Sequence, residues 1–103
     1  MSFGFPPEIC SFTRLSASGI VGDSGKPIDV VGYTIKSGAT AGVVTLMNGT
    51  AQTSPAAWAD TAPTVSQENA KALAYPIRLG SGCYVSFDSN VSACTVFWRQ
   101  MNT

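Results

Sequence analysis

The sequence contains no histidine. Without an imidazole the chain cannot form a Ser-His-Asp or Cys-His catalytic group, a histidine-ligated metal site or a histidine pH switch. Charged side chains are also scarce, at 12% of 103 residues, and six Lys and Arg balance six Asp and Glu. Because there is no basic surplus to neutralise phosphates, we expect neither nucleic acid nor a membrane as partner. We also expect no enzymatic activity, no bound metal and no cofactor.

Cysteine is infrequent as well. Cys10, Cys83 and Cys94 show no C-x-x-C spacing, which argues against a zinc ribbon, a thioredoxin-type site and a dense disulfide framework. We interpret all three as reduced thiols. The alternative is a strained disulfide between Cys83 and Cys94, which would face each other if the last two strands formed a hairpin centred on Asp88 and Ser89.

Long apolar runs are missing too. No uninterrupted run approaches the roughly 20 residues of a membrane-spanning helix. Residues 1–11 have no cationic segment, and Glu8 and two prolines interrupt them, so they do not match a signal peptide. We therefore expect an intracellularly made, soluble protein.

Serine, threonine and glycine are abundant, in contrast to the scarce charged residues. The chain has 22 serine and threonine residues, 10 glycines and an apolar share of 45%. This composition favours one β-sandwich domain over residues 12–103. Residues 1–11 are predicted to form an N-terminal arm, because prolines cannot donate to a central strand. The arm either docks on a neighbouring molecule or folds back over its own core.

Alternating and β-branched segments separated by turn residues predict an all-β fold, an antiparallel β-sandwich or jelly-roll-like domain of about 7–8 short strands. Two hairpins are expected, one from 28–36 and 43–47 and the other from 83–87 and 92–100. The remaining predicted strands are 12–20 and an edge strand, 72–79, interrupted by Pro76. Asn48-Gly49 predicts a tight turn with a strand resuming near Thr50. Residues 51–74 are expected to be a loop with at most one helical turn, with 56–59 as a candidate short strand.

Several motifs with functional associations are better explained as turns. Gly22-Asp23-Ser24-Gly25 matches the residues around a trypsin-like nucleophile, but that chemistry needs histidine. Four residues have side-chain oxygens that could bind calcium, but their spacing does not match an EF-hand loop. Two glycosylation acceptor patterns have no secretory signal to accompany them. The residues concerned are Asp23, Asp29, Asp88 and Asn90 for calcium, and Asn48 and Asn90 for glycosylation.

Two aromatic side chains are candidates for exposed contacts. Trp58 lies in the segment with the weakest strand pattern, and Tyr84 lies in a predicted strand. Phe97 and Trp98 are consecutive in another strand, so we expect one of them in the core and the other on a sheet surface or in a subunit contact.

Four stretches carry a resemblance to a known class of proteins: SASGIV at 16–21, VGYTIKSG at 31–38, AGVVTLMNGT at 41–50 and YPIRLGSGCYV at 75–85. Strands and turns of this kind, in this order, resemble the small virion proteins of tailed bacteriophages, among them capsid decoration or cement proteins. The resemblance extends over residues 16–99 as a pattern of strands and turns. It carries over no functional residue.

The resemblance implies a β-sandwich that assembles, often as a homotrimer, on the outside of a capsid where major capsid subunits meet. The major capsid protein and further copies of the chain would be its partners, and the virion its location. On this hypothesis the arm makes the capsid or inter-subunit contact through Phe3, Phe5, Pro6 and Pro7.

The alternative function is adhesion. A head-fibre, tail or receptor-binding module would recognise host surface glycans through exposed aromatic rings, for which Trp58 and Tyr84 are the candidates.

Overall fold

The computed structural model describes residues 11–100. This part of the chain forms eight β-strands and no helix, so it holds no helical segment that could span a membrane. The strands are β1 (Ser11–Leu15), β2 (Gly19–Val21), β3 (Ile28–Ser37), β4 (Val43–Asn48), β5 (Ala56–Thr61), β6 (Glu68–Leu79), β7 (Cys83–Phe87) and β8 (Val91–Gln100).

The strands form two antiparallel four-stranded sheets that pack as a sandwich. The first sheet has the order β1-β8-β3-β6 and the second has the order β2-β7-β4-β5. Strands are therefore paired from the chain ends inward, β1 with β8, β2 with β7, β3 with β6 and β4 with β5. This nested pairing is the jelly-roll arrangement. The prediction of an all-β sandwich of about 7–8 strands is confirmed.

Apolar side chains from the inner faces of both sheets form the core. Strand β3 contributes most, because it lies between β8 and β6 and its inward residues are nearly inaccessible to solvent. The fully or almost fully buried apolar residues are Val21, Ile28, Val30, Tyr33, Ile35, Val44, Leu46, Ala62, Leu79, Cys83, Val85, Ala93, Cys94 and Val96.

A β-bulge at Val31 determines which residues of β3 face the core. Val30 pairs with Trp98 and Gly32 pairs with the next residue, Phe97, so Val31 has no partner of its own on β8. The extra residue shifts the alternation. Val30 and Tyr33, three positions apart, both point inward as a result.

Strands β3 and β4 confirm their predicted ranges to within one residue at each end, but their predicted hairpin is wrong. The two strands belong to different sheets, and β4 pairs with β5 and β7 instead. The connection after β3 crosses between the sheets, where the Ser37 hydroxyl accepts a hydrogen bond from the Gly42 amide at 2.9 Å. A Cβ on Gly42 would lie 2.6 Å from the Val91 side chain, so the close packing of this crossing requires glycine.

The second predicted hairpin is wrong for the same reason. Strand β7 lies in the second sheet and β8 in the first, and the turn at 88–90 joins the two sheets. Asp88 holds this turn, since its carboxylate accepts hydrogen bonds from the amides of Val43 and Asn90, both at 2.9 Å. The alternative prediction, a disulfide between Cys83 and Cys94, depended on this hairpin. The two residues are not cross-strand neighbours, and both are free cysteines.

The predicted strand at 12–20 is two strands in different sheets. β1 ends at Leu15 and β2 begins at Gly19. The Ser18 hydroxyl accepts a hydrogen bond from the Phe87 amide at 2.9 Å, which fixes the crossing between them. The alternation continues through the break, so the pattern alone did not show the change of sheet.

The predicted loop at 51–74 is also wrong over much of its length. Residues 56–61 form β5, which confirms the candidate short strand at 56–59, and β6 begins at Glu68 rather than at residue 72. The strand expected near Thr50 starts at Ala56, after a loop closed by the Asn48 amide and the Pro55 carbonyl at 2.8 Å. Pairing with β4 and β3 overrides the weak local preference of these alanine-rich segments.

Strand β6 does lie at a sheet edge, as expected for a strand containing Pro76. Its pairing with β3 jumps from Ile77 to Ala72, so residues 73–76 bulge out of the ladder. Proline has no amide to donate and is accommodated where the ladder is interrupted.

The turn expected at Gly22-Asp23-Ser24-Gly25 is confirmed. Gly22 and Gly25 both have φ of 77°, and the Lys26 amide donates to the Asp23 carbonyl at 3.1 Å.

Candidate functional site

The outer face of the first sheet carries an apolar row that crosses all four strands. Phe12 pairs with Phe97, Phe97 with Gly32, and Gly32 with Ala72. Register partners lie side by side on one face. We call these four residues the apolar row. The Phe12 side chain is 70% exposed and contacts the Phe97 ring at a centroid distance of 6.3 Å.

Gly32 makes a depression in the apolar row. A Cβ at this position would lie 2.9 Å from the Lys71 carbonyl oxygen, so no other residue fits without moving the β6 backbone. The resulting shallow pocket has a volume of about 280 Å³. It is lined by Val31, Gly32, Tyr33, Ala70, Lys71, Ala72 and Phe97.

A hydrogen-bonded ion pair lies on one side of the apolar row. Arg14 on β1 donates to Glu68 on β6 at 2.7 Å and to the Thr95 hydroxyl at 2.9 Å, while Thr34 donates to Glu68 at 2.7 Å. The hydrogen bonds from Arg14 and Thr34 lower the pKa of Glu68, and the bond to Glu68 raises the pKa of Arg14. The charges are therefore held paired on the surface.

A second charged group lies on the other side of the apolar row. Asp29 is 4% exposed and accepts from Arg78 at 3.1 Å and from Arg99 at 3.4 Å. The three residues are cross-strand partners on β6, β3 and β8. Both arginines remain substantially exposed beyond Asp29.

Together these residues resemble a protein-binding surface in their chemistry. An apolar centre with aromatic side chains, bordered by polar groups rich in arginine, is the usual composition of such an interface. Tyr75, in the bulge that follows Ala72 in β6, is 85% exposed.

Comparison of the chain with family models, with curated proteins and with solved structures gives no match.

A second feature lies at the open side of the sandwich, where β5 and β6 form the free edges of the two sheets. Trp58 and Asp60 on β5 pair with the core residues Leu46 and Val44, so both point into the space between the sheets. Tyr33 meets them from the first sheet. The Tyr33 hydroxyl donates to Asp60 at 2.6 Å and accepts from the Trp58 indole nitrogen at 2.7 Å.

These polar groups border a pocket of about 410 Å³, which we call the edge pocket. Burial and the hydrogen bond to Asp60 raise the pKa of Tyr33 to about 12. The hydrogen bond to Asp60 fixes the direction in which the Tyr33 hydroxyl donates. The pocket is lined by Tyr33, Ile35, Asp60, Thr61, Pro63, Asn69, Ala70 and Lys71.

The structure does not bring the two predicted aromatic contacts together. Trp58 is 37% exposed, beside the edge pocket. Tyr84 is partly buried and lies on the outer face of the second sheet, between Ile20 and Met47. The predicted arm contacts, Phe3, Phe5, Pro6 and Pro7, lie outside the described residues.

The remaining candidate residues have structural roles. Cys83 and Cys94 are fully buried, and burial raises the pKa of each thiol to about 12, so neither is a reactive nucleophile. Asp29 accepts hydrogen bonds from Arg78 and Arg99, and Asp88 accepts from the amides of Val43 and Asn90. Residues 11–100 contain no group of three or more cysteine and acidic side chains able to hold a metal ion.

Sequence reasoning found part of the outer face and missed the rest. Trp98 packs against the core and Phe97 lies on the outer face. This confirms the expectation that one of these two consecutive residues is in the core and the other is on a sheet surface. Phe12 and Gly32 were not identified. The position of Phe12, two residues before the polar Arg14, was the available signal, because residues i and i+2 share a face of a strand.

Proposed function

We propose that this protein is a non-enzymatic structural protein of a bacteriophage virion, a decoration or cement protein that binds the outer surface of the capsid and stabilises the shell. The observation that carries the proposal is the apolar row on the outer face of the first sheet, with Phe12 70% exposed at one end. The resemblance to small virion proteins in the pattern of strands and turns supports the choice of partner.

The physical basis is the free energy of covering this face. Burying one large apolar side chain contributes about 1.5–3 kcal/mol, and Phe12 in the apolar row is 70% exposed. The charged residues beside the apolar row already form ion pairs within the chain, Arg14 with Glu68 and Arg78 with Asp29. They keep these partners when a capsid protein covers the face. A major capsid protein with an apolar side chain suited to the Gly32 depression meets these requirements.

The regular repetition of a capsid strengthens such contacts. If the protein also associates with itself, as a homotrimer for example, each copy tethers the others and raises their effective concentration at the shell. A protein that binds only the assembled shell shifts the equilibrium toward assembly. Modest contacts per copy are then sufficient for stabilisation.

The experiment measures occupancy on expanded capsids prepared without this chain. Phe12→Ser is the test variant, and Ile20→Ser, which changes a 38% exposed apolar residue on the second sheet, is the matched control. We expect the apparent affinity of Phe12→Ser to fall about tenfold, while Ile20→Ser binds as the unmodified protein does. Absence of shell binding by the unmodified protein, or equal binding of all three proteins, contradicts the proposal.

The arm is tested separately. The sequence favours a contact through Phe3, Phe5, Pro6 and Pro7, so deletion of residues 2–7 is expected to reduce occupancy. Unchanged occupancy removes the arm from the contact and leaves the outer face as the binding surface. Glycan binding without any affinity for the shell would favour the alternative adhesion module.

A further inference from the structure

The edge pocket has features that attachment to a shell does not require. It lies between the free edges of the two sheets, where inward-facing positions of β5 and β6 carry polar side chains instead of core residues. Lys71 pairs with Tyr33, and Asn69 with Ile35, on the inner side of the first sheet. Asp60 faces them from the second sheet. Donors and acceptors therefore converge on one cavity from both sheets.

The acidic side of the pocket is rigidly held. One carboxylate oxygen of Asp60 accepts from the Tyr33 hydroxyl at 2.6 Å, and the other accepts from the Thr61 amide at 2.9 Å. The Trp58 indole fixes the Tyr33 hydroxyl in turn at 2.7 Å. Polar groups placed in advance lose little conformational entropy when a ligand binds.

The opposite side offers groups that a ligand can use. The Asn69 amide nitrogen donates to the carbonyls of Thr64 and Gln67, at 2.6 and 3.1 Å, and this orientation leaves its amide oxygen as an acceptor. The Lys71 side chain is 52% exposed, and its ammonium group is 3.9 Å from Asp60. At that separation it can still donate to a ligand.

Size and charge define the ligand class. The volume of about 410 Å³ is within the range of small-molecule sites. The charges of Asp60 and Lys71 cancel, so the pocket favours an uncharged ligand over an anion or a cation. Ile35, Pro63 and Ala70 add apolar surface to the lining. A sugar ring has this combination of hydroxyl groups and apolar C–H faces.

We infer that the edge pocket binds one neutral pyranose unit of a glycan. Asp60 and the Asn69 amide oxygen accept hydrogen bonds from ring hydroxyls, and Lys71 donates to them. The inference goes beyond the proposed function, because capsid attachment through the outer face does not involve a ligand in this pocket.

The test is saturation-transfer difference NMR with millimolar glucose, galactose, mannose and N-acetylglucosamine, with sialic acid and glucose 6-phosphate as anionic probes. The test variant is Lys71→Ala, and Lys36→Ala is the matched control, because Lys36 is exposed on β3 and does not line the pocket. We expect binding of at least one neutral sugar, weakened about tenfold by Lys71→Ala and unchanged by Lys36→Ala.

A second variant checks the acceptor side. Asp60→Asn keeps the size of the side chain and is expected to weaken sugar binding, with its fold verified by thermal unfolding. Binding of no neutral sugar, preference for the anionic probes, or a sugar signal unaffected by Lys71→Ala would overturn the inference. Asp60→Asn is expected to occupy capsids normally, because Asp60 lies on β5 of the second sheet and does not line the depression at Gly32. Failure of the pocket and failure of the proposed function therefore give different results.

Discussion

Arg14 and Glu68 lie on the two outermost strands of the first sheet, yet their side chains meet at 2.7 Å across β8 and β3. The two intervening strands contribute Thr95 and Thr34 to the same hydrogen-bonded group. One surface interaction thus links all four strands, and the two charged partners are 54 positions apart in the sequence.

The first prediction concerns the pH dependence of this link. The pKa of Glu68 is lowered from its ordinary value of 4.5, so its stabilising effect is present above that pH and is lost as the pH falls through the lowered pKa. Glu68→Gln is expected to cause a small decrease in the unfolding midpoint at pH 7. The difference from the unmodified protein should disappear in acid.

Asp23→Asn is the control for that measurement, because Asp23 is an exposed carboxylate in the Gly22–Gly25 turn. Thermal unfolding from pH 7 down to pH 3 compares the three proteins. An equal effect of both substitutions at pH 7 would show that net charge, not the link to Arg14, is responsible.

The second prediction concerns the depression in the apolar row. Gly32→Ala places a methyl group 2.9 Å from the Lys71 carbonyl oxygen, so the β6 backbone has to move. Overpacking of this kind costs about 1–3 kcal/mol. Gly80→Ala is the matched control, because a Cβ there meets nothing within 4 Å, and we expect a change within about 0.5 kcal/mol. Urea unfolding measures the free energy of unfolding of both variants. Equal values for Gly32→Ala and Gly80→Ala would contradict the close approach of β3 and β6.

The third prediction concerns the Tyr33 phenol. Its pKa is raised to about 12 from an ordinary value of 10, so the folded state retains this proton more strongly than the unfolded state. The corresponding stability is complete below pH 10 and is lost as the pH rises toward 12. The difference in phenolate absorbance between the unmodified protein and Tyr33→Phe isolates this group. A midpoint at 10 would contradict the buried hydrogen bonds.

The same variant tests the Trp58–Tyr33–Asp60 hydrogen bonds energetically. Removing the Tyr33 hydroxyl leaves a donor and an acceptor without their partner, which costs about 1–3 kcal/mol when water does not replace it. Tyr84→Phe removes a hydroxyl from the outer face of the second sheet and should have little effect. Urea unfolding of the two variants provides the measurement, and similar losses would exclude a special role for Tyr33.

The fourth prediction concerns the buried thiols. In a Cys10→Ser background, Cys83 and Cys94 should resist a thiol-specific reagent at pH 8 while the protein is folded, because both are inaccessible and their pKa values are about 12. Both should react after unfolding in urea. Rapid labelling of the folded protein, or a failure to label the unfolded protein without a reductant, would contradict two free core cysteines.

The candidate surfaces could be predicted only in part. The sequence indicates that one of Phe97 and Trp98 lies outside the core, and it identifies Trp58 as a candidate exposed aromatic residue. It does not indicate that Phe97 is aligned with Phe12 and Gly32, because register depends on pairing between distant segments. The edge pocket was missed for a related reason. The Val31 bulge turns Tyr33 inward, toward Asp60, and no motif in the sequence marks that bulge.

The sequence alone determined the all-β class, the number of strands to within one, and the ranges of β3, β4, β7 and β8, because alternation and β-branched residues act locally. Tertiary structure alone decided which strands pair. A short polar connection can close a hairpin or cross to the other sheet, and residues 37–42 and 88–90 do the latter. The difference lies in contacts between remote segments, such as Gly42 against Val91, and local residue preferences carry no information about those contacts.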